Sequence, residues 1–244
     1  MRPVLARPRA HHDLLRLSGG RYGATGSRLK RSPNRYTARI VNGTPDLILA
    51  SASPRRRELL ENLGLVLTIA PIDIDETARE GEPVRDYAIR VAAEKCDAAV
   101  AHQGATALAV LAADTIVSLG HEILGKPADE AQAEAMLQRL AGRRHEVLTA
   151  YRIRLGERVV ERLVSTFVTF RSLDGKEVAA YLASGEWHGK AGAYAIQGIA
   201  GSFVTEVRGS FTNVVGLPLA EVIADLRAIE ALPGYPPAAF GALP

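Results

Sequence analysis

One stretch constrains this chain more than any other. Leu47-Ile48-Leu49-Ala50 runs into Ser51-Ala52-Ser53-Pro54, then Arg55-Arg56-Arg57 and Glu58-Leu59-Leu60. The apolar tetrad reads as a short buried strand, and Leu59, Leu60 and Leu63 repeat at helical spacing. A tight strand-to-helix turn lies between them. Ser53 is placed to cap the helix and Pro54 suits its first position, although Arg56 stands where a capping box would want Glu or Gln. Three arginines therefore crowd the positive end of a helix dipole, where a cation costs from a few tenths to about 1 kcal/mol. An anion relieves that cost. Phosphate is the natural one, because free backbone N–H groups and guanidinium forks both match its oxygens. Helical spacing divides the three. Arg55 and Arg56 lie one turn above Leu59 and Leu60 on the core side, whereas Arg57 lies above Glu61 and can form an exposed ion pair. The competing reading is three solvated arginines on a short helix.

The net charge of +3 misleads until it is divided. Residues 1–44 carry ten Lys and Arg against Asp13 alone, which leaves the rest of the chain six charges negative. Overall basicity is thus no argument for a nucleic-acid partner. The basic stretch shows no sustained hydrophobic period, and three readings compete for it: a basic arm, an Arg-rich transit peptide, or a start assigned too early. The last is favoured, since Val41 stands six residues before the first strand and valine codons include GTG. One cysteine, Cys96, excludes an intrachain disulfide framework, and the six histidines show no metal-ligand spacing. With no apolar run near the ~20 residues that span a bilayer, the expected setting is the cytoplasm, without a membrane partner.

Further along, Val66 to Ala70 reads as a second strand, followed by Asp73-Ile74-Asp75-Glu76-Thr77. Alternation puts Asp73 and Asp75 on one side of that segment and Glu76 on the other. Carboxylates there can hold a divalent cation, or one can cap the next turn. An amphipathic helix follows from Pro83 to about His102. It carries Lys95, read equally as a ligand contact or a solvated lysine. Ala107 to Ala113 is the most uniformly apolar run and predicts a central strand ending at Asp114, where open α/β sheets place ligand chemistry; a turn or cap aspartate is the alternative. A hairpin around Gly120-His121 would return Lys126 beside Asp114. A helix capped by Asp129, two long extended segments joined at Gly156-Glu157, and a helix from Leu173 to Ala183 come next. Seven glycines between Gly185 and Gly216, interleaved with Trp187, Lys190, Tyr194, Gln197, Phe203 and Phe211, suit a loop-rich, aromatic-bearing binding wall. A helix from Leu217 to about Ile229 closes the fold, and a Pro-rich tail of little structure follows.

Taken together, LILASASPRRRELL at 47–60, IDET at 74–77, AAEKC at 92–96, AADTIV at 112–117, GKP at 125–127, VTFRSL at 168–173, KAGAYAIQG at 190–198 and VVGLPL at 214–219 resemble the Maf family of nucleoside triphosphate pyrophosphatases. The likeness covers nearly all of residues 46–229 and implies one domain over 45–230, with 231–244 as a tail. It implies an α/β fold: an elongated mixed sheet flanked by helices, with a cleft between two lobes and homodimers common. The implied reaction converts a nucleoside triphosphate to the monophosphate and pyrophosphate with a divalent cation, Mg or Mn. By motif position Asp114 matches the general base, and Glu76 with Asp114 would hold the metal. Arg55, Thr115 and Gln197 match positions linked to substrate choice, while Ser51, Arg56, Lys95 and Lys126 match other cleft residues. SPRR, ADT and AYxIQG together resemble the branch acting on dTTP and UTP. Two rivals stand beside this. A P-loop ATPase lacks its GxxxxGK[ST] signature, and a non-catalytic nucleotide sensor governing septum formation would use the same binding residues.

Overall fold

A computed structural model describes residues 44–236. The basic extension, up to its last residue, and the end of the Pro-rich tail lie outside the described residues. The elements run β1 (Leu47–Leu49), α1 (Pro54–Glu61), β2 (Leu67–Ile69), α2 (Val84–Gln103), β3 (Ala109–Leu119), β4 (Glu122–Leu124), α3 (Glu130–Leu140), β5 (Arg144–Leu155), β6 (Arg158–Phe170), α4 (Gly175–Ala183), β7 (Val204–Arg208), α5 (Phe211–Val215) and α6 (Leu219–Ala228). Seven strands form one mixed sheet in the order β2-β1-β3-β5-β6-β7, with β4 also on β3. This is the α/β architecture, a mixed sheet flanked by helices, that the motifs imply.

Strand alternation assigns the two faces of β3. Val110 and Ala112 pack with Cys96 and Ala99 of α2, and Ile116 packs with Tyr87 and Val91. Leu111 and Ala113 point the other way, into a cluster with Leu60, Val222 and Leu226 beneath α1 and α6. Val117 enters a third cluster, built on Leu137, Leu140, Tyr181 and Phe203. That opposite face therefore carries two separate cores, one towards each end of β3.

The prediction that the central strand ends at Asp114 is corrected: β3 continues unbroken to Leu119. What ends there is its neighbour. Parallel β1 pairs with β3 only over Ala109–Leu111, and antiparallel β4 joins the same edge only from Val117. The edge between them, around Asp114, is left without a paired strand, while β5 covers the opposite edge from Val110 to Ser118. An opening at the edge where strand direction reverses is where α/β sheets bind ligands.

The glycine-rich segment is more regular than its composition suggests, holding two 3-10 turns (Ala191–Ala193 and Ile199–Phe203) as well as β7 and α5. The tail reading also needs adjusting at its start. Leu232 is buried, and Ala231 and Tyr235 pack against the same core as α6.

Candidate active site

The opening stretch folds as the sequence predicts. Ser53 caps α1 by accepting from the Arg56 N–H, and Pro54 opens the helix. Arg57 Nε donates to Glu61 Oε1 at 2.7 Å in an exposed pair. Arg55 and Arg56 turn inward to different tasks. Arg56 donates from Nε to Gly216 O at 2.8 Å, from Nη1 to Ser51 Oγ at 3.1 Å and from Nη2 to Thr115 Oγ1 at 3.0 Å. A guanidinium has five N–H groups, so two remain for a ligand. Arg55 makes one longer bond, Nε to Val215 O at 3.3 Å. Burial lowers the pKa of both arginines, which remain cationic because guanidinium titrates so far above neutrality.

From Arg56 a hydrogen-bond relay runs inward. Thr149 donates to Asn213 O at 3.0 Å, so Thr115 is the donor in its 2.9 Å contact with Thr149. Thr115 thus accepts from Arg56 and offers its one proton to Thr149, with Gly216 O as a second, longer acceptor at 3.3 Å, which fixes its rotamer.

On the other face of β3, Asp114 meets α2. Lys95, 8% exposed and so no solvated lysine, places Nζ 2.8 Å from Asp114 Oδ1 and 2.8 Å from Glu76 Oε1. Glu76 lies on the irregular segment after β2, held by Tyr87, whose hydroxyl donates to the Glu76 carbonyl at 3.0 Å. Burial first, and then the Asp114 and Glu76 charges, push the Tyr87 phenol up to about 12, so it stays a donor. The predicted alternation holds only in part: Glu76 turns inward and Asp75 is exposed, but Asp73, although exposed, lines the same cleft as Glu76. Asp75 accepts from the Thr77 N–H, the capping role weighed for this segment.

Lys126 is a correction. It approaches Glu76 Oε2 at 3.9 Å, with no ion pair to Asp114 among the described residues. The β4 ladder ends at the Val117–Leu124 pair, so Lys126 has left the sheet and reaches Glu76 instead of running on alongside Asp114. Gln197 lies exposed on the far wall. The aromatic-wall reading is corrected in part: Trp187, Tyr194 and Phe203 are 5%, 6% and 3% exposed and belong to the core, and of these three Tyr194 also lines the cleft. Tyr194 bonds the buried His145 Nε2 at 2.9 Å. Gly192 brings this wall close to β3, with φ +66° and a position where a Cβ would stand 3.0 Å from Val117 Cβ.

All nine sequence-predicted site residues, Ser51, Arg55, Arg56, Glu76, Lys95, Asp114, Thr115, Lys126 and Gln197, line one cleft of about 480 Å³. Small-molecule sites span roughly 300–1,000 Å³. Lys190 lines it too, a residue that the sequence reading placed in a motif without giving it a role. Burial first, and then the Arg55 charge, lower its pKa. Five cationic side chains of the cleft face three carboxylates, Asp73, Glu76 and Asp114. The surplus suits a polyanion.

The donor chemistry also bears on a cation. Lys95 occupies one oxygen each of Glu76 and Asp114, and no group of three or more His, Cys, Asp and Glu able to hold a metal occurs among the described residues. Mg-type ions commonly use one or two carboxylates plus substrate phosphates and water. Glu76 Oε2 therefore fits a cation that arrives with a triphosphate, and Asp114 Oδ2 is open to that cation or to a water.

Comparison with known proteins supplies the family. Residues 46–229 match the family described as Maf-like protein, which is most of the chain. The chain belongs to the Maf-like family. Among its relatives, the dTTP/UTP pyrophosphatase of Cereibacter sphaeroides is 54% identical over 194 residues, covering 79% of this chain and 99% of the relative. The dTTP/UTP pyrophosphatase of Anaeromyxobacter dehalogenans strain 2CP-1 is also 54% identical, over 75% of this chain and 93% of the relative. A nucleoside triphosphate pyrophosphatase of Haemophilus ducreyi is 46% identical over 77% of this chain and 98% of its own length. Every Maf-like motif quoted from the sequence falls within the matched span.

Proposed function

We propose that this protein is a nucleoside triphosphate pyrophosphatase that hydrolyses dTTP and UTP, and modified pyrimidine nucleotides of like shape, to the monophosphate and pyrophosphate, clearing the nucleotide pool. The observation that carries the reading is the Asp114–Lys95 pair, 2.8 Å apart in a cleft with surplus positive charge. A cationic cleft alone would suit a nucleotide sensor equally. A buried carboxylate held in orientation within it serves hydrolysis.

The triphosphate lies along the start of α1, its charge opposed by Arg55, the two spare N–H groups of Arg56, Lys126 and Lys190. Asp114, with Oδ1 held by Lys95, takes the proton of an attacking water on Oδ2. The water oxygen bonds to the α-phosphorus as the bond to the bridging oxygen breaks, and that oxygen leaves with pyrophosphate. A divalent cation, Mg or Mn, held by Glu76 together with the substrate phosphates would neutralise charge there, leaving Asp114 Oδ2 for the water. Gln197, carrying both a donor and an acceptor, reads the pyrimidine edge, and Thr115, locked by its relay, lines the entry to it. A cytoplasmic homodimer without a nucleic-acid or membrane partner completes the proposal. Among the described residues no helix is long and apolar enough to cross a membrane.

Pyrophosphate release measured over dTTP, UTP, dCTP, ATP and GTP, with Mg or Mn and after chelation, tests this. Turnover of dTTP and UTP that is lost on chelation is expected. Saturable binding without pyrophosphate release would instead favour the sensor of septum formation.

A further inference from the structure

The turn that presents Gln197 is held at both ends by side chains with no contact to the nucleotide in this reading. On one side Tyr194 is fixed by His145. On the other, Glu186 Oε2 accepts from the Ile199 N–H at 2.8 Å. Within the turn, the Gly198 N–H donates to Ala195 O at 3.0 Å and the Gly201 N–H donates to Gly198 O at 3.0 Å. A side chain at residue 198 would displace Glu186. The Gly198 φ of −104° is open to any residue, but a Cβ there would stand 2.1 Å from Glu186 Oε2 and 2.6 Å from Cδ. The Glu186 carboxylate occupies the space that a side chain would need. Glycine and glutamate, twelve positions apart, form one fitted unit directly beneath Gln197.

We propose that Glu186 is a positioning residue for substrate choice: it locks the Gln197-Gly198-Ile199 turn and so sets where Gln197 meets the base. This rests on the pyrimidine-reading role of Gln197 given above. A locked reader lowers the cost of ordering the turn on binding. Removing the lock therefore raises KM for the nucleotides that Gln197 reads, while leaving the water and Asp114 in place; Glu186→Gln, which removes the same charge near Lys190, separates the lock from that charge.

Three variants test this against the wild type: Glu186→Ala, Glu186→Gln and Gly198→Ala, with the double variant Glu186→Ala/Gly198→Ala. For Glu186→Ala, KM for dTTP and UTP should rise about tenfold with kcat within about twofold, and discrimination against purine triphosphates should narrow. Glu186→Gln keeps an oxygen for the Ile199 N–H and should restore most of it. Gly198→Ala should mimic Glu186→Ala, and the double variant should be no worse than either single one, since truncating the glutamate vacates the clash. Hydrogen exchange at the Ile199 amide, followed without substrate, should quicken in Glu186→Ala and not in Glu186→Gln. Equal losses on all nucleotides, additive single effects, or unchanged Ile199 exchange would each overturn the inference. Wild-type protein inactive on dTTP and UTP would overturn the proposed function instead, and the exchange measurement would still read Glu186.

Discussion

Lys95 and Asp114, nineteen residues apart in sequence, meet at 2.8 Å on the face of β3 covered by α2, both nearly sealed from solvent. A buried carboxylate left alone carries a large desolvation cost. The lysine offsets it and at the same time fixes which oxygen remains for chemistry. Asp114→Asn keeps the shape and leaves Lys95 its second partner, Glu76. Turnover of dTTP should fall by about two to four orders of magnitude, with nucleotide binding by calorimetry largely retained. Full activity in that variant would remove Asp114 from the role of base.

Neighbouring arginines on α1 should separate by assay. Arg56→Lys loses at least two of the three bonds that join α1 to Ser51, Thr115 and Gly216. A hydrogen bond to a charged group contributes about 1.5–3 kcal/mol, so the melting temperature should drop by several degrees. Arg57→Ala removes an exposed pair and should change stability by less than about 1 kcal/mol.

Arg55 holds the protein by a single longer bond. Arg55→Ala should therefore leave thermal unfolding nearly unchanged while raising KM for triphosphates by about tenfold or more, the pattern of a lost ligand contact. An equal loss of melting temperature in Arg55→Ala and Arg56→Lys would contradict this division of labour.

His145 makes stability depend on pH. Burial lowers its pKa from 6.5 to about 4, so between those values the unfolded chain binds a proton that the folded one refuses. Stability is full above about 6.5 and declines as pH falls towards 4, by at most about 3 kcal/mol. Urea unfolding at pH 7.5 and pH 5 should show the fall, and His145→Gln should flatten it.

The partition of the three arginines was legible because helical period alone decides which face each takes, and local capping by Ser53 needed no tertiary information. The placement of Asp114 was legible in part. An apolar run announces a buried strand but not where its neighbours stop, and the site is made by the ends of β1 and β4, not of β3. Lys95 looked ambivalent, because one lysine on a helix carries no sign of the carboxylates that the fold brings to it. Trp187 and Phe203 misled for a related reason: aromatics among glycines suit a binding wall or a core equally, and only Tyr194 of the three serves both. Glu186 left no local trace, since its partner is a backbone amide and the void at a glycine.

β3, β5 and β6 run without interruption, through 11, 12 and 13 residues, beneath both cores. A hinge needs a few residues free to absorb dihedral change, and these ladders supply none between the cleft's two sides. The cleft therefore works as a fixed calliper: its jaws keep one gap, and a nucleotide is gauged against that gap by the seating of small loops such as the one bearing Gln197.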